Sequence, residues 1–262
     1  MKYCLNSRQE GKYLAKADEI KVAARDHKSI PSLARQYPNA DIILELAPNG
    51  KEIDNSLIKE YDEACAKRFI VCVNKLDSDT INFYRANNIR YYWGYEINTP
   101  KELNSLKHFT DVCYVRVSGP LFFNHKLLNK VGIPVRATAN VADFGYLPKK
   151  DGVTGTWIRP EDVPEYEGTV GAIEFGGIER SEQERALFRI YAEQHNWPGD
   201  LDLIITNLDF SDKVCNRMIP PDFVKARLNC GQMCEAGGPC QLCYRYLRLA
   251  NKDLIAQYKE SI

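Results

Sequence analysis

Residues 41–74 read DIILELAPNGKEIDNSLIKEYDEACAKRFIVCVN and hold two short apolar runs on either side of an amphipathic stretch. The runs DIILELA (41–47) and FIVCVN (69–74) have the length and the aliphatic content of buried strands. Between the runs, Asp54 can cap a helix over residues 54–67 whose apolar side chains recur on one face. The succession predicts a strand–helix–strand unit of a parallel sheet.

The same alternation continues along the chain from Asp18 to Phe175. Eight apolar runs alternate with amphipathic stretches, and they begin at residues 18, 41, 69, 89, 111, 133, 155 and 170. Eight consecutive units predict a small (β/α)₈ TIM-like barrel, minimal or imperfect because such barrels usually take about 250 residues. A ninth candidate strand, LDLIIT at residues 201–206, leaves the strand count open. A doubly wound open sheet is the structural alternative.

The composition is that of a folded globular protein. The 262 residues are 44% hydrophobic and 27% charged, which excludes the disordered and collagen-like classes. The 35 basic and 35 acidic residues give a formal net charge of zero, so any contact with nucleic acid must be local. No segment approaches the roughly 18 apolar residues of a membrane span, and the first residues lack the apolar stretch of a secretory signal. We therefore expect a cytoplasmic protein that does not associate with membranes.

The composition changes at Asn207, which indicates a domain boundary. From Asn207 to Pro239 the chain is rich in glycine and proline, and a last helix is expected from Cys240 onward. The sequence thus predicts an α/β barrel over residues 1–206 and a cysteine-rich helical module over residues 207–262.

Four of the nine cysteines lie close together in this module, at Cys230, Cys234, Cys240 and Cys243. Glycines between them permit tight turns, and the last two thiols fall in the first turn of the expected helix, where the helix dipole favours thiolate. Four thiolates can bind a tetrahedral zinc ion or an iron–sulfur cluster of the 4Fe-4S type. The short insert between the two cysteine pairs favours the iron–sulfur cluster. Cys215 could replace one ligand, and a group of unligated thiols is the alternative.

Charged residues interrupt several of the predicted strands. Arg116, Arg136 and Arg159 follow apolar residues near strand ends, and Glu45 and Glu174 lie within apolar runs. In a barrel the chemistry occurs at the carboxyl ends of the strands, so these guanidinium groups could converge on a carboxylate or a phosphate. The sequence therefore predicts an anionic small-molecule ligand. The alternative is a buried layer in which the arginines and glutamates neutralise each other and form no site.

Three segments precede the cysteine cluster in order: VRVSGPLFFN (115–124), IPVRATANVADFGY (133–146) and GTWIRPEDVPEYEG (155–168). In this order of elements the chain resembles the collagenase-like peptidase family. The resemblance implies a small TIM-type barrel, a four-iron cluster held by four cysteines, and oxygen-independent hydroxylation of tRNA or of a quinone precursor. It adds no support for proteolysis, because the sequence presents no nucleophile–base pair.

The leading hypothesis of function is an enzyme with an iron–sulfur cluster that modifies an anionic or nucleic-acid-linked substrate bound by Arg116, Arg136 and Arg159. The rival is a non-catalytic interaction protein in which zinc folds the cysteine module. From Lys213 onward the chain carries eight basic and four acidic residues, and this tail could contact a protein or RNA partner. Neither hypothesis assigns catalytic residues, and the hydroxylation comes from the resemblance alone.

Overall fold

The computed structural model of the chain describes residues 1–46, 53–73, 78–106, 112–117, 119–122, 125–141, 157–176, 180–206, 214–228, 246 and 250. Within these residues the fold is α/β. Its strands are β1 (Lys2–Asn6), β2 (Glu19–Ala23), β3 (Asp41–Glu45), β4 (Phe69–Val73), β5 (Arg90–Trp93), β6 (Glu96–Ile97), β7 (Arg116–Val117), β8 (Val135–Thr138) and β9 (Val170–Glu174).

Short helices connect the strands. The α-helices are α1 (Gly11–Leu14), α2 (Ile30–Gln36), α3 (Asn55–Ala64), α4 (Ser78–Asn87), α5 (Pro100–Ser105), α6 (Gly119–Phe122), α7 (His125–Val131), α8 (Ser181–Phe188) and α9 (Phe223–Leu228). Helices of the 3₁₀ type span Ala24–Ser29, Pro160–Tyr166, Leu201–Leu203 and Asn216–Met218, and a π-helical turn at Arg189–Gln194 extends α8.

Seven strands form one parallel sheet that curls into a half-barrel, in the order β5-β4-β3-β2-β1-β9-β8. The strands β6 and β7 pair with each other in parallel. The segment that contains β7 also makes single parallel bridges to both edges of the half-barrel, from Val112 to Tyr91 in β5 and from Val115 to Val135 in β8. The carboxyl ends of these strands therefore lie at one edge of the sheet.

Alternate side chains of the strands pack on the two faces of the half-barrel. On the outer face, Leu5, Ile20, Leu44 and Val71 belong to one large apolar cluster with residues of the helices. The inner face carries a smaller cluster of Cys4, Ile43, Ile70, Cys72, Tyr92, Tyr114 and Ala172. Burial on both faces explains why strands such as β3 are apolar without alternation.

The strand–helix–strand unit predicted over residues 41–74 is confirmed as β3, α3 and β4. The carboxylate of Asp54 caps α3 by accepting a hydrogen bond from the backbone N–H of Ser56 at 2.7 Å. The predicted runs that begin at residues 18, 89, 111, 133 and 170 also contain strands.

The predicted strands differ from the observed ones at four places, one of which is β6, since no predicted run contains it. The first strand, β1, lies before the first predicted run. The sequence did not predict it, because its five residues form too short an apolar pattern. Trp157 and Ile158, in the run that begins at 155, are not in a strand; Ile158 donates one backbone hydrogen bond to Ala139, and Pro160 then begins a 3₁₀ helix. The ninth candidate is a 3₁₀ helix at Leu201–Leu203.

Residues 214–228 pack against the chain that follows β8. The ring of Phe223 stacks on Trp157 with centroids 5.9 Å apart. The guanidinium of Arg227 lies 4.0 Å over the Trp157 ring and donates to the Trp157 carbonyl oxygen at 2.6 Å. The described part of the predicted C-terminal module therefore shares the apolar core of the half-barrel.

None of the helices in the described segments has both the length and the apolar character needed to cross a bilayer.

Gly171 lets β9 pass close to its neighbours. A Cβ at this position would lie 2.7 Å from Cβ of Pro134 and 3.2 Å from Cε1 of Tyr114. We expect Gly171→Ala to lower the free energy of unfolding by about 1–3 kcal/mol, because β9 must shift to admit the methyl group. Chemical denaturation measures the change, and Lys130→Ala at an exposed position of α7 is the control, with an effect below about 0.5 kcal/mol. An unchanged stability of Gly171→Ala would contradict the close packing of β9.

Candidate functional site

Arg136 of β8 is a fully buried charge on the inner face of the half-barrel. Its Nη1 donates to Glu19 at 2.5 Å and its Nε donates to Glu174 at 3.0 Å. The hydroxyl of Tyr114 donates to the other carboxylate oxygen of Glu19 at 2.7 Å. The guanidinium also lies 5.2 Å from the ring centroid of Tyr92. Two carboxylates thus compensate for the burial of one guanidinium, which a buried charge requires.

The carboxylate of Glu174, the last residue of β9, contacts cations from three other strands. Arg136 Nε lies 3.0 Å away, Arg116 Nη2 3.1 Å and Lys21 Nζ 3.4 Å. Burial alone would raise the pKa of Glu174, but the charges of Lys21, Arg136 and Arg116 outweigh burial and hold that pKa well below its ordinary value. Glu174 is therefore ionised at neutral pH.

Lys21 and Arg116 are the two cations of this group that also reach solvent, with 20% and 24% of their side chains exposed. Arg116 donates in addition to a carbonyl oxygen at the end of β5 (3.0 Å) and to the hydroxyl of Thr138 (3.3 Å). Lys21 Nζ lies 3.8 Å from Glu45, whose side chain is 42% exposed. The charge of Glu174 raises the pKa of Lys21 above its ordinary value. Both cations are therefore charged and accessible.

We name Lys21, Glu45, Arg116 and Glu174 the charged mouth, because Lys21 contacts both Glu45 and Glu174 and Arg116 contacts Glu174. Glu45 and Glu174 are the last residues of β3 and β9. Ligands of parallel α/β sheets bind at this edge. The two accessible cations can bind a carboxylate or a phosphate, and Glu45 can accept or donate a proton. The mouth is thus suited to an anionic ligand.

The thiols inside the half-barrel are not nucleophiles at neutral pH. Burial raises the pKa of Cys72, which lies beside Glu45 in the sheet register, to about 11. Burial likewise raises the pKa of Cys4 to about 12. A protonated thiol neither attacks carbonyls nor binds metal readily. These cysteines therefore fill the interior as small apolar side chains.

Four of the five residues predicted to bind an anion meet at the charged mouth or directly beneath it. They are Glu45, Arg116, Arg136 and Glu174. Arg136 has no exposed side-chain surface, and its contacts are those of the buried layer that the sequence left as the alternative. Its role is to position Glu174.

Arg159 is not part of this group. Its Nε and Nη2 donate to the carboxylate of Asp162 at 2.5 and 2.7 Å, at the start of the 3₁₀ helix Pro160–Tyr166. The expectation that Arg159 joins the other arginines depended on a strand at residues 155–158, and Trp157 and Ile158 lie in none. Sequence reasoning also missed Lys21, although a lysine between two buried strand residues is a comparable signal.

The four cysteines predicted to bind metal, at 230, 234, 240 and 243, lie outside the residues that the structure describes. In the described segments no group of three or more His, Cys, Asp or Glu side chains is placed to bind a metal ion. Cys215, the candidate replacement ligand, is partly exposed and carries a free thiol. The cysteine metal site thus stays a prediction from the sequence.

In comparisons with known proteins, no family model matches the chain, and no curated sequence matches it. The resemblance to the collagenase-like peptidase family therefore stays a hypothesis from the order of elements.

The ionised state of Glu174 makes a prediction about stability and pH. We expect Glu174→Gln to lower the free energy of unfolding by about 3–5 kcal/mol near pH 7, because Arg116, Arg136 and Lys21 lose their shared partner. The pKa of Glu174 is depressed in the folded state, so its contribution is complete above the ordinary value of 4.5 and is lost as the pH falls through the folded-state pKa. The difference between the variant and the parent should therefore shrink below about pH 4.5.

Denaturation by urea at several pH values measures this difference. Glu182→Gln is the matched control, because the Glu182 side chain is 82% exposed and its pairing with Arg185 is long, at 3.9 Å. We expect the control to change stability by less than about 1 kcal/mol at any pH. A difference for Glu174→Gln that stays constant down to about pH 3 would contradict the ionic role of Glu174.

Proposed function

We propose that the chain is an enzyme that binds an anionic substrate in the charged mouth of an eight-stranded barrel, with a metal centre in its C-terminal cysteine module. The observation that carries the proposal is the convergence of Lys21, Arg116 and Arg136 on Glu174 at the carboxyl end of β9. A cytoplasmic, reducing environment suits the free thiols of the chain.

The position of β7 supports the proposed barrel closure. The segment that contains it is bridged to Tyr91 of β5 on one side and to Val135 of β8 on the other. Backbone hydrogen bonds from Cys113 to Tyr91 (3.0 Å) and from Arg136 to Val115 (2.8 Å) support the same placement. With β5 and β6 taken as one interrupted strand, our proposal makes this segment the eighth strand of a (β/α)₈ TIM-like barrel.

Each residue of the charged mouth has a role that its contacts support. Lys21 and Arg116 bind the substrate anion, since both are charged and partly exposed, and both contact the carboxylate of Glu174. Glu45 transfers a proton to or from the substrate, because its carboxylate is the most exposed of the group. Glu174 positions the two cations, and Arg136 positions Glu174 from below.

The proposed metal centre is supported by four cysteines that lie close together in the sequence. Cys230, Cys234, Cys240 and Cys243 would supply four thiolates, which suit a 4Fe-4S cluster or a zinc ion. A bound cluster would supply electron transfer, and a bound zinc ion would supply folding energy to the module. The hydroxylation implied by the family resemblance requires the cluster rather than zinc.

A second candidate function is a non-catalytic interaction protein with a zinc-stabilised tail that contacts a protein or RNA. One observation favours a folded tail: the chain on the far side of the cysteines returns to the residues that precede them. The hydroxyl of Tyr246 donates to Asp222 at 2.9 Å, and the backbone N–H of Cys215 donates to the carbonyl oxygen of Ala250 at 3.1 Å. These contacts place Tyr246 and Ala250 against residues 214–228.

Ligand binding at the charged mouth can be tested without knowledge of the substrate. We expect some small carboxylates or phosphates to raise the thermal unfolding midpoint of the parent protein, because binding to the native state stabilises it. Arg116→Gln should abolish that shift. Arg185→Gln is the control and should retain the shift. Arg185 lies on α8 and pairs with Glu10. A ligand-induced shift of the unfolding midpoint that is retained in Arg116→Gln would refute the proposed binding site.

Metal content separates the two candidate functions. Anaerobic purification followed by metal analysis and a visible spectrum should give a brown protein with iron and sulfide for the enzyme, and a colourless protein with one zinc for the interaction protein. Cys240→Ser should lower the metal content in both cases. Cys113→Ser is the control, because that thiol only donates to the carbonyl oxygen of Tyr91. Unchanged metal in Cys240→Ser would refute the cysteine site.

A further inference from the structure

Three exposed arginines follow neighbouring strands at the edge that carries the charged mouth. Arg8 follows β1, Arg25 follows β2 and Arg180 follows β9. The strands β2, β1 and β9 are consecutive in the sheet, so their carboxyl ends are adjacent. We name Arg8, Arg25 and Arg180 the arginine rim.

Arg8 and Arg25 share one carboxylate oxygen. Arg8 Nη2 lies 3.0 Å from Oδ2 of Asp26, and Arg25 Nε lies 3.8 Å from the same atom. The side chains of Arg8 and Arg25 are 52% and 70% exposed, so most of their N–H groups face water. One carboxylate therefore holds two guanidinium groups near each other and neutralises only one of them.

Arg180 belongs to the same surface. The side chain of Gln9, next to Arg8, donates from Nε2 to the carbonyl oxygen of Ser181 at 3.1 Å, which fixes the loop of Arg180 against the loop of Arg8. Among the described residues, no carboxylate forms a salt bridge with Arg180. Asp26 is the acidic side chain that pairs with Arg8 and Arg25, whereas the nearby Glu184 carboxylate accepts from Gln9 and from the backbone N–H of Asn6.

The arginine rim lies directly beyond the charged mouth. The backbone N–H of Ser7 donates to the carbonyl oxygen of Lys21 at 2.8 Å, which joins the loop of Arg8 to β2. Lys21 is two residues from the end of β2 at Ala23, a rise of about 7 Å. A ligand of moderate length in the mouth can thus extend to the rim.

We propose that the arginine rim binds the phosphate group of a small phosphate ester whose other end lies in the charged mouth. The proposal rests on the proposed function, and it names the class of substrate. A phosphate monoester carries nearly two negative charges at neutral pH, whereas a carboxylate carries one, so a group of three guanidinium groups favours the phosphate. Guanidinium groups bind phosphate oxygens in pairs, which favours arginine over lysine at such a site.

Inorganic phosphate is the probe, titrated into the full-length chain at low ionic strength and followed by calorimetry. We expect the double variant Arg8→Gln, Arg25→Gln to bind phosphate about ten-fold more weakly than the parent. Lys28→Gln, an exposed lysine in the same 3₁₀ helix as Arg25, is the control and should bind within about two-fold of the parent. Because the pairs with Asp26 are exposed, the double variant should melt like the parent.

The outcomes separate the rim from the mouth. Phosphate binding that survives in Arg116→Gln but is lost in the double variant supports the rim. Phosphate binding lost in Arg116→Gln and unchanged in the double variant places the phosphate in the mouth, which overturns the rim and leaves the proposed function standing. A short oligonucleotide that binds about ten-fold more tightly than phosphate, through Arg8 and Arg25, would overturn the small ester in favour of a nucleic acid strand.

Discussion

The burial of Arg136 between Glu19 and Glu174 is the constraint on which the rest of the interior depends. A guanidinium taken out of water costs several kcal/mol unless carboxylates replace its hydration, so β2 and β9 must each supply one. Glu174 in turn accepts from Lys21 and Arg116. The charged residues of the half-barrel thus form one connected network that runs from a dry layer to a solvated one.

This network determines which carboxylate a ligand can replace. Glu174 is held by three cations and has a depressed pKa, so displacing it would leave several charges without a partner. Glu45 is half exposed, and its contact with Lys21 is 3.8 Å long. The proposed substrate anion would therefore compete with Glu45 for Lys21, while Glu174 would keep its contacts. Glu174 fixes one side of Lys21 and of Arg116, and the other side of each cation stays exposed to solvent.

The sequence predicts the strands of this fold well wherever burial on both faces makes a run continuously apolar, as in β3 and β4. It misses β1, whose apolar residues are few, and it misplaces Arg159, whose run lies outside the sheet. The charged residues Arg116, Arg136 and Glu174 occur in otherwise apolar strand runs, which predicts an inward-facing polar layer. Which arginine pairs with which glutamate depends on strand order and register, and these are contacts between residues far apart in the chain.

The irregular pairing of β8 with β9 determines which side chains lie opposite each other inside the half-barrel. Val135 opposes Val170 while Arg136 opposes Ala172, so Gly171 is the extra residue between them. Ala172 therefore lies opposite Arg136, the bulkiest side chain of β8. Side-chain size on the two strands is complementary: the long inward arginine of β8 lies opposite a methyl group of β9.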